Sequence, residues 1–352
     1  MISKGGNNMR ICMVTPRYKR NVKGGGELSL QLLVEALRTL GIDVTVLSGD
    51  ALFPNIKNKE LLNTAMYGYL KKRIDEYDVF HTYNMSLLPA IGRLTRVKNI
   101  NSVATLNGHV YSPTFTLQLS DHPKREYPFV TSMFRRYISY IKKFTVLSEF
   151  MREAWIRDGV PDDRIKVIPN MIAKNYTSET YHGDTVNILA VGNYAKWRNL
   201  DILLDAYSKL PLQDIILHVV GQGWKDKIMT YKGKNILAYH PQVEHQKLKD
   251  MYSRADIYVQ PYDYYGIGRA MLEAAQNKTA VVTTGRLQDF PFIHGYLNYF
   301  ANSDMLQLTL QTLIVNKELR KLQGNDLCKL VNSYFAPENI ADKYIQTYKE
   351  LL

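Results

Sequence analysis

At 352 residues the chain is long for one hydrophobic core and suits two domains of ordinary size. Its 45% hydrophobic and 22% charged residues are those of a globular protein, and no apolar run approaches the ~18 residues that a membrane-spanning helix needs. A formal net charge of +12 favours polyanions: nucleotide phosphates, nucleic acid or an acidic membrane surface. Residues 1–9 lack the apolar core of a signal peptide. Cys12 and Cys328 read as free thiols of a reducing, cytoplasmic compartment and are too few to build a metal site.

In chain order, residues 10–16 predict a buried strand, followed by a loop that ends in Gly24-Gly25-Gly26. A helix follows over 27–40, with apolar residues at helical spacing and Gly41 as its stop. Strand 44–47 completes a β-α-β unit with a glycine-rich first connection, the layout of a doubly wound sheet. Further strands are expected at 79–81, 102–106, 143–147 and 165–168, with helices between them. The polar, turn-rich stretch from Pro169-Asn170 to about Gly183 sets a domain boundary. After it the pattern restarts with strand 188–191, Gly192, helix 200–210, strand 215–220 and Gly221-Gln-Gly223. Helix 246–254, strand 257–259, helix 269–276 and strand 280–283 come next, and Pro337 opens a helix over 338–352. The expected division is an N-terminal domain over 1–170, a second over 171–336, and helix 337–352 packing back on the first. Two such sheets in tandem would face one another across a ligand-binding cleft.

Residues 256–275 carry the most chemistry. Pro261 ends a strand, and Gly266-Ile267-Gly268 makes a loop whose missing side chains admit another molecule close to the backbone. The N–H groups that open the next helix suit a phosphate. Glu273, about one turn further in, leans back toward that end and can accept from the vicinal hydroxyls of a ribose. Phosphate and ribose together describe a nucleotide. The plainer alternative is an ordinary strand-to-helix turn with a solvated Glu273.

Taken in order, these stretches resemble the retaining glycosyltransferases of family 4. Gly24-Gly25-Gly26-Glu27 matches that family's Gly-Gly-Ala-Glu turn, while Ser148-Glu149 and Pro169-Asn170 match its mid-chain Ser-Glu and Pro-Asn. The run from Val191 to Asn199 matches Val-Gly-Arg-Leu-x-x-x-Lys-Gly, and Val220 to Gly223 matches Val-Gly-x-Gly. The run from Tyr265 to Ala274 matches Glu-Gly-Phe-Gly-x-x-x-x-Glu-Ala. The resemblance covers nearly the whole chain. It implies the GT-B fold, a nucleotide-sugar donor held mainly by the C-terminal domain, an acceptor held mainly by the N-terminal one, and no metal or other cofactor. It places Gly24, Gly25, Gly192, Asn193, Gly221, Asp263, Tyr264, Tyr265, Gly266, Ile267, Gly268, Arg269 and Glu273 at the donor.

In place of a metal, the family sets basic side chains and helix N-termini against the leaving diphosphate. Arg198 stands at the family's lysine, and a guanidinium can clasp two phosphate oxygens. A cation at a helix start is unfavourable by dipole alone, which favours the ligand role for Arg198 over solvation. Three departures stand out. Asn193 replaces an arginine, so a phosphate contact is lost unless Lys196 reaches in. Tyr265 replaces a glutamate, for which Asp263 can substitute. Asn107 sits where many relatives have a histidine beside the reacting sugar, with His109 two positions on as its substitute or as a histidine satisfied within its own loop. The implied activity is transfer of a sugar with retention to a glycan or lipid-linked acceptor. The alternative, motivated by the three departures, is a catalytically impaired nucleotide-sugar-binding protein. Nucleic-acid binding ranks last, since no groove-reading or single-strand motif accompanies the charge.

Residues 124–144 interleave basic and aromatic side chains. A helix after Pro128 would set Phe134, Tyr137, Ile138 and Ile141 on one side, and Arg135, Arg136, Lys142 and Lys143 around the other. It either lies on the inner face of an acidic membrane or packs its apolar side against the N-terminal sheet.

Overall fold

The computed structural model describes residues 9–18, 25–83, 85–106, 135–173, 183–195, 198–211, 214–261, 267–284 and 291–352. The chain divides into two compact units, one of residues 1–171 with 337–352, the other of residues 172–336.

The first unit is built on a six-stranded sheet of β1 (Arg10–Thr15), β2 (Asp43–Ser48), β3 (Val79–Thr82), β4 (Ser102–Leu106), β5 (Lys143–Val146) and β6 (Ile165–Val167). Its order is β2-β1-β3-β4-β5-β6, and every pairing is parallel. Parallel strands covered on both faces have no solvent side, which is why β1 reads as an apolar run and β4 is buried at every position. The Gly25–Thr39 helix turns Leu30, Leu33, Val34 and Leu37 onto this sheet. The Pro337–Lys349 helix adds Ile340, Ala341, Tyr344, Ile345 and Tyr348 to the same core.

That second helix is also fastened by polar groups. His81 is fully buried, with Nδ1 2.7 Å from the Tyr348 hydroxyl and Nε2 2.7 Å from the Thr105 hydroxyl. Thr105 is in turn 2.7 Å from the Thr145 hydroxyl. The chain of contacts runs from β3 through β4 to β5 and leaves neither imidazole nitrogen without a partner. Burial pulls the His81 pKa down to about 3, so the ring stays neutral.

Two expectations are corrected. The first helix begins at Gly25 rather than residue 27, so Gly25 and Gly26 form its first turn. The Ser29 hydroxyl sits there between the Gly25 carbonyl at 2.9 Å and Asn170 Oδ1 at 3.1 Å. The helix expected after Pro128 with Ile141 on its apolar side ends among the described residues at 138, and Lys143 opens β5, where a strand was expected. Ile138 and Ile141 are buried in the unit, which withdraws them from any headgroup layer. Phe134 lies outside the described residues.

The second unit carries β7 (Val186–Val191), β8 (Ile215–Val220), β9 (Ile236–His240), β10 (Ile257–Gln260), β11 (Ala280–Thr284) and β12 (Asn298–Phe300). Their order is β12-β11-β10-β7-β8-β9, again all parallel. Leu203, Leu204 and Tyr207 of the Leu200–Ser208 helix cover one face together with Leu306, Leu310 and Leu313 of the Ser303–Val315 helix. The other face lies under Tyr252 of the His245–Arg254 helix, Met271, Leu272 and Ala275 of Arg269–Gln276, and Leu327 and Val331 of Lys317–Tyr334. Both units are thus Rossmann-like α/β sandwiches. Cys12 and Cys328 are free and buried, and burial pushes the Cys12 thiol far up.

Candidate nucleotide-binding site

In the second unit the chain runs from β7 outward through β8 to β9, then crosses to β10 on the other side of β7. The loops leaving the carboxyl ends of β7 and β10 therefore diverge, and a doubly wound sheet binds ligands where they part.

The β7 loop is shaped by two glycines. Gly192 has φ 153° and Gly221, after β8, has φ 138°, both outside the range that side chains readily adopt. A Cβ on Gly221 would overlap the Gly192 carbonyl, so only hydrogen there lets the two loops touch. Once in contact they close by hydrogen bonds. Gly192 N donates to Val220 O (2.8 Å), Tyr194 N to Gln222 O (2.7 Å), and Gln222 N to Asn193 Oδ1 (2.9 Å). The indole N–H of Trp224 donates to Gly192 O at 2.6 Å, and the Tyr194 ring meets Trp224 edge-on at 5.0 Å.

On this platform lies Arg198. A Cβ on Gly192 would collide with its guanidinium, so the group rests on the bare Cα. Arg198 N donates to Ala195 O (2.9 Å), and Asn199 at φ 49° then turns the chain into the Leu200–Ser208 helix. Asparagine tolerates that left-handed backbone better than most residues, which explains how it replaces the family's glycine. Arg198 and Gly192 line a small pocket with Trp224, Val219, Val259 and Pro261, where the ends of β7, β8 and β10 meet.

The second arm is the start of the Arg269–Gln276 helix. Gly268 is its N-cap residue with an extended backbone, its carbonyl accepts from Leu272 N at 3.1 Å, and no side chain among the described residues caps the first turn. Ile267 is buried. Glu273 is 6% exposed, with Arg269 Nη1 3.9 Å from its Oε1. The solvated reading of Glu273 is thereby excluded. A buried carboxylate one turn inside a helix start, with a guanidinium beside it, is held ready to accept hydrogen bonds.

Of the residues selected by sequence, Gly192, Asn193, Gly221 and Arg198 are brought into contact, and Ile267, Gly268, Arg269 and Glu273 form the second arm. Gly25 belongs to the first unit, in a helix turn beside Asn170. Gly24, Asn107, His109, Lys196, Asp263, Tyr264, Tyr265 and Gly266 lie outside the described residues. Sequence reasoning missed Trp224, although it directly follows Gly221-Gln-Gly223. Two motif pieces have structural work in the first unit. Ser148 Oγ accepts from Met151 N (3.2 Å) and caps the Glu149–Arg157 helix, and Glu149 pairs with Arg152 at 2.8 Å.

Two open Rossmann-like sheets in one chain, one with glycine-lined strand ends and a guanidinium seated among them, fit the GT-B architecture. Residues 23–175 match the model of Glycosyltransferase Family 4, and residues 177–321 that of Glycosyl transferases group 1. The chain belongs to this glycosyltransferase family. It is 24% identical to an uncharacterized glycosyltransferase of Methanocaldococcus jannaschii, across 97% of this chain and 98% of that one. Among solved structures it resembles sucrose-phosphate synthase of Thermosynechococcus elongatus, with TM-score 0.77 and 17% identity over 97% of this chain and 99% of that one. It also resembles Anabaena HepE in complex with UDP-glucose, with TM-score 0.72 and 16% identity over 98% and 100% of the two chains.

Proposed function

We propose that the chain transfers a sugar from a nucleoside-diphosphate donor, with retention at the anomeric carbon and without a metal, to a glycan or lipid-linked acceptor. The observation that carries this reading is the Arg198 guanidinium laid on Gly192 at the switch between β7 and β10. As the glycosidic bond breaks, negative charge grows on the departing diphosphate. A fixed guanidinium and the N–H groups of a helix start are charges already oriented for it, so they favour the transition state over the ground state. Glu273 takes the ribose hydroxyls. That Anabaena HepE, a protein of the same fold, is in complex with UDP-glucose supports a nucleotide-sugar donor. Lys196 reinforces Arg198 in place of the arginine lost at Asn193, and His109 substitutes for the histidine that the family resemblance would put at Asn107. Asp263 and Tyr265 read the sugar. The diphosphate itself assists in taking the acceptor proton, and no covalent nucleophile is invoked. The protein works in the cytoplasm, and a lipid-linked acceptor would bring it to the inner face of the membrane.

A second reading has one observation in its favour. Asn193 stands at a family arginine and spends its Oδ1 on Gln222 N, as expected of a scaffold that binds donor without turning it over. One experiment separates the two. Nucleoside-diphosphate sugars are screened by thermal shift, where a ligand at a hundred times its dissociation constant adds about 2.7 kcal/mol. The stabilising donors are then assayed for hydrolysis and transfer, with the product anomer determined. Glu273→Ala should weaken donor binding by roughly 1.5–3 kcal/mol. Binding without turnover supports the second reading, and unchanged affinity in Glu273→Ala removes the ribose assignment.

A further inference from the structure

The first unit contains a second polar recess, independent of the donor reading. It is an open pocket of about 470 Å³ lined by Thr95, Arg96, Asn99, Ser139, Tyr140, Lys142 and Arg164. Asn99 lies just ahead of β4, Lys142 immediately precedes β5 and Arg164 immediately precedes β6. The pocket therefore sits at the amino ends of the strands. In a parallel sheet that is the edge opposite the one where the β1 loop leads to Gly25.

Its three cations are gathered at one recess, and all of them are held by neutral partners. Arg164 Nη1 donates to the carbonyls of Ser139 (2.7 Å) and Ile141 (3.3 Å). Lys142 Nζ donates to the Asn99 carbonyl (3.3 Å) and to Asn101 Oδ1 (3.0 Å). The Arg96 guanidinium lies 5.5 Å from the centre of the Tyr140 ring. All these partners are neutral. Arg38 of the same unit is likewise held by a carbonyl, that of Val44 at 2.7 Å, whereas several other cations of the unit are paired with carboxylates. Lys143 and Lys166 share Glu350 at 3.1 and 2.9 Å, Arg152 pairs with Glu149 at 2.8 Å, and Arg10 with Asp78 at 2.8 Å. Among the described residues no carboxylate comes within 4.0 Å of the charged nitrogens of Arg96, Lys142 or Arg164.

Neutral acceptors hold a cation in place without cancelling its charge. Three like charges so held repel one another until an anion enters between them. The Ser139 hydroxyl and the remaining guanidinium N–H groups suit an oxygen-rich anion rather than a halide. We propose that this pocket is a binding site for a phosphate-class oxyanion, at the strand edge away from the glycine turn. A phosphomonoester in solution and the phosphodiester of an anionic lipid offer the same chemistry, and a lipid source would anchor the first unit by its amino-end edge.

The test uses the full chain in an Arg198→Gln background, which removes the guanidinium of the donor pocket as a competing phosphate partner. One arm titrates inorganic phosphate and glycerol 3-phosphate by thermal shift. The other measures co-sedimentation with phosphatidylglycerol vesicles against phosphatidylcholine vesicles. The expected result is binding in at least one arm, weakened tenfold or more by Arg96→Gln, Lys142→Gln and Arg164→Gln together. Lys143→Gln with Lys166→Gln, which removes two carboxylate-paired lysines, should leave that binding in place. Arg96→Gln alone, on an exposed side chain, gives a partial loss and keeps the test decisive if the triple variant does not fold. Binding confined to vesicles assigns the lipid source, and binding confined to the soluble esters assigns the other. No binding in either arm, or equal binding by wild-type and triple-variant pockets, overturns the proposal.

Discussion

The two units share a sheet architecture and spend their polar groups in opposite ways. In the second, polarity is placed at the carboxyl ends of β7 and β8 and is largely backbone: glycines bring two loops together, and N–H and C=O groups tie them. In the first, a polar side-chain network is sunk into the core, where His81 joins three strands to the Pro337–Lys349 helix. A backbone-built site tolerates almost no added atom but needs few special side chains. A buried side-chain network tolerates no lost partner. The comparison therefore predicts different failures for the two halves.

The largest effect is expected for Gly221→Ala. Its Cβ meets a backbone carbonyl that cannot swing aside, at a φ that alanine disfavours, and the two costs together are about 4 kcal/mol. Chemical denaturation should show the second unit melting early, and an unchanged transition would refute the loop packing. Next come Arg198→Ala and Gly192→Ala. The latter's Cβ strikes the movable end of Arg198, so beyond the backbone strain at φ 153° it should displace the guanidinium. Both should lower kcat by about 10²-fold or more with a smaller change in KM. A pure rise in KM would make Arg198 a ground-state anchor.

His81→Phe leaves the Tyr348 and Thr105 hydroxyls each short of a buried partner and should cost about 2 kcal/mol. It also carries a pH signature. Below about 6.5 the unfolded chain takes up a proton that folded His81 refuses until about pH 3. Wild-type stability is then complete above pH 6.5 and falls between there and pH 3. The variant should lose that component of the slope, and identical pH profiles would count against a buried neutral imidazole. The smallest effect, about 1 kcal/mol, is expected for Ser148→Ala, which removes a helix cap and nothing at the donor. Donor affinity should not move; if it does, Ser148 does more than cap.

Legibility in the sequence followed the same division. Strands buried on both faces announced themselves as apolar runs, as in β1 and β10. β9 was missed although Ile236, Leu237 and Ala238 are apolar, and three-residue β12 is too short to carry a pattern. The glycine loops after β7 and β8 were visible because few residues but glycine fit there. The His81 network was not, since Tyr348 lies 267 positions from His81 and no local spacing signals such a pair. Trp224 was missed for a related reason: its bond reaches back 32 positions to Gly192, across a helix and a strand. Ser148-Glu149 was legible as a motif, while its capping role required the Met151 N–H to be seen.

The segment 172–336 is inserted between two parts of the first unit, and this has a consequence for biosynthesis. A ribosome releases residues in order, so the inserted segment can collapse on its own core while the earlier sheet still lacks Ile340, Tyr344 and Tyr348. Until they emerge, Leu33, Val34 and Leu37 have no covering helix, and His81 faces no tyrosine. The half translated first is thus completed second, and in the interval its uncovered face is the part of the nascent chain most in need of a chaperone.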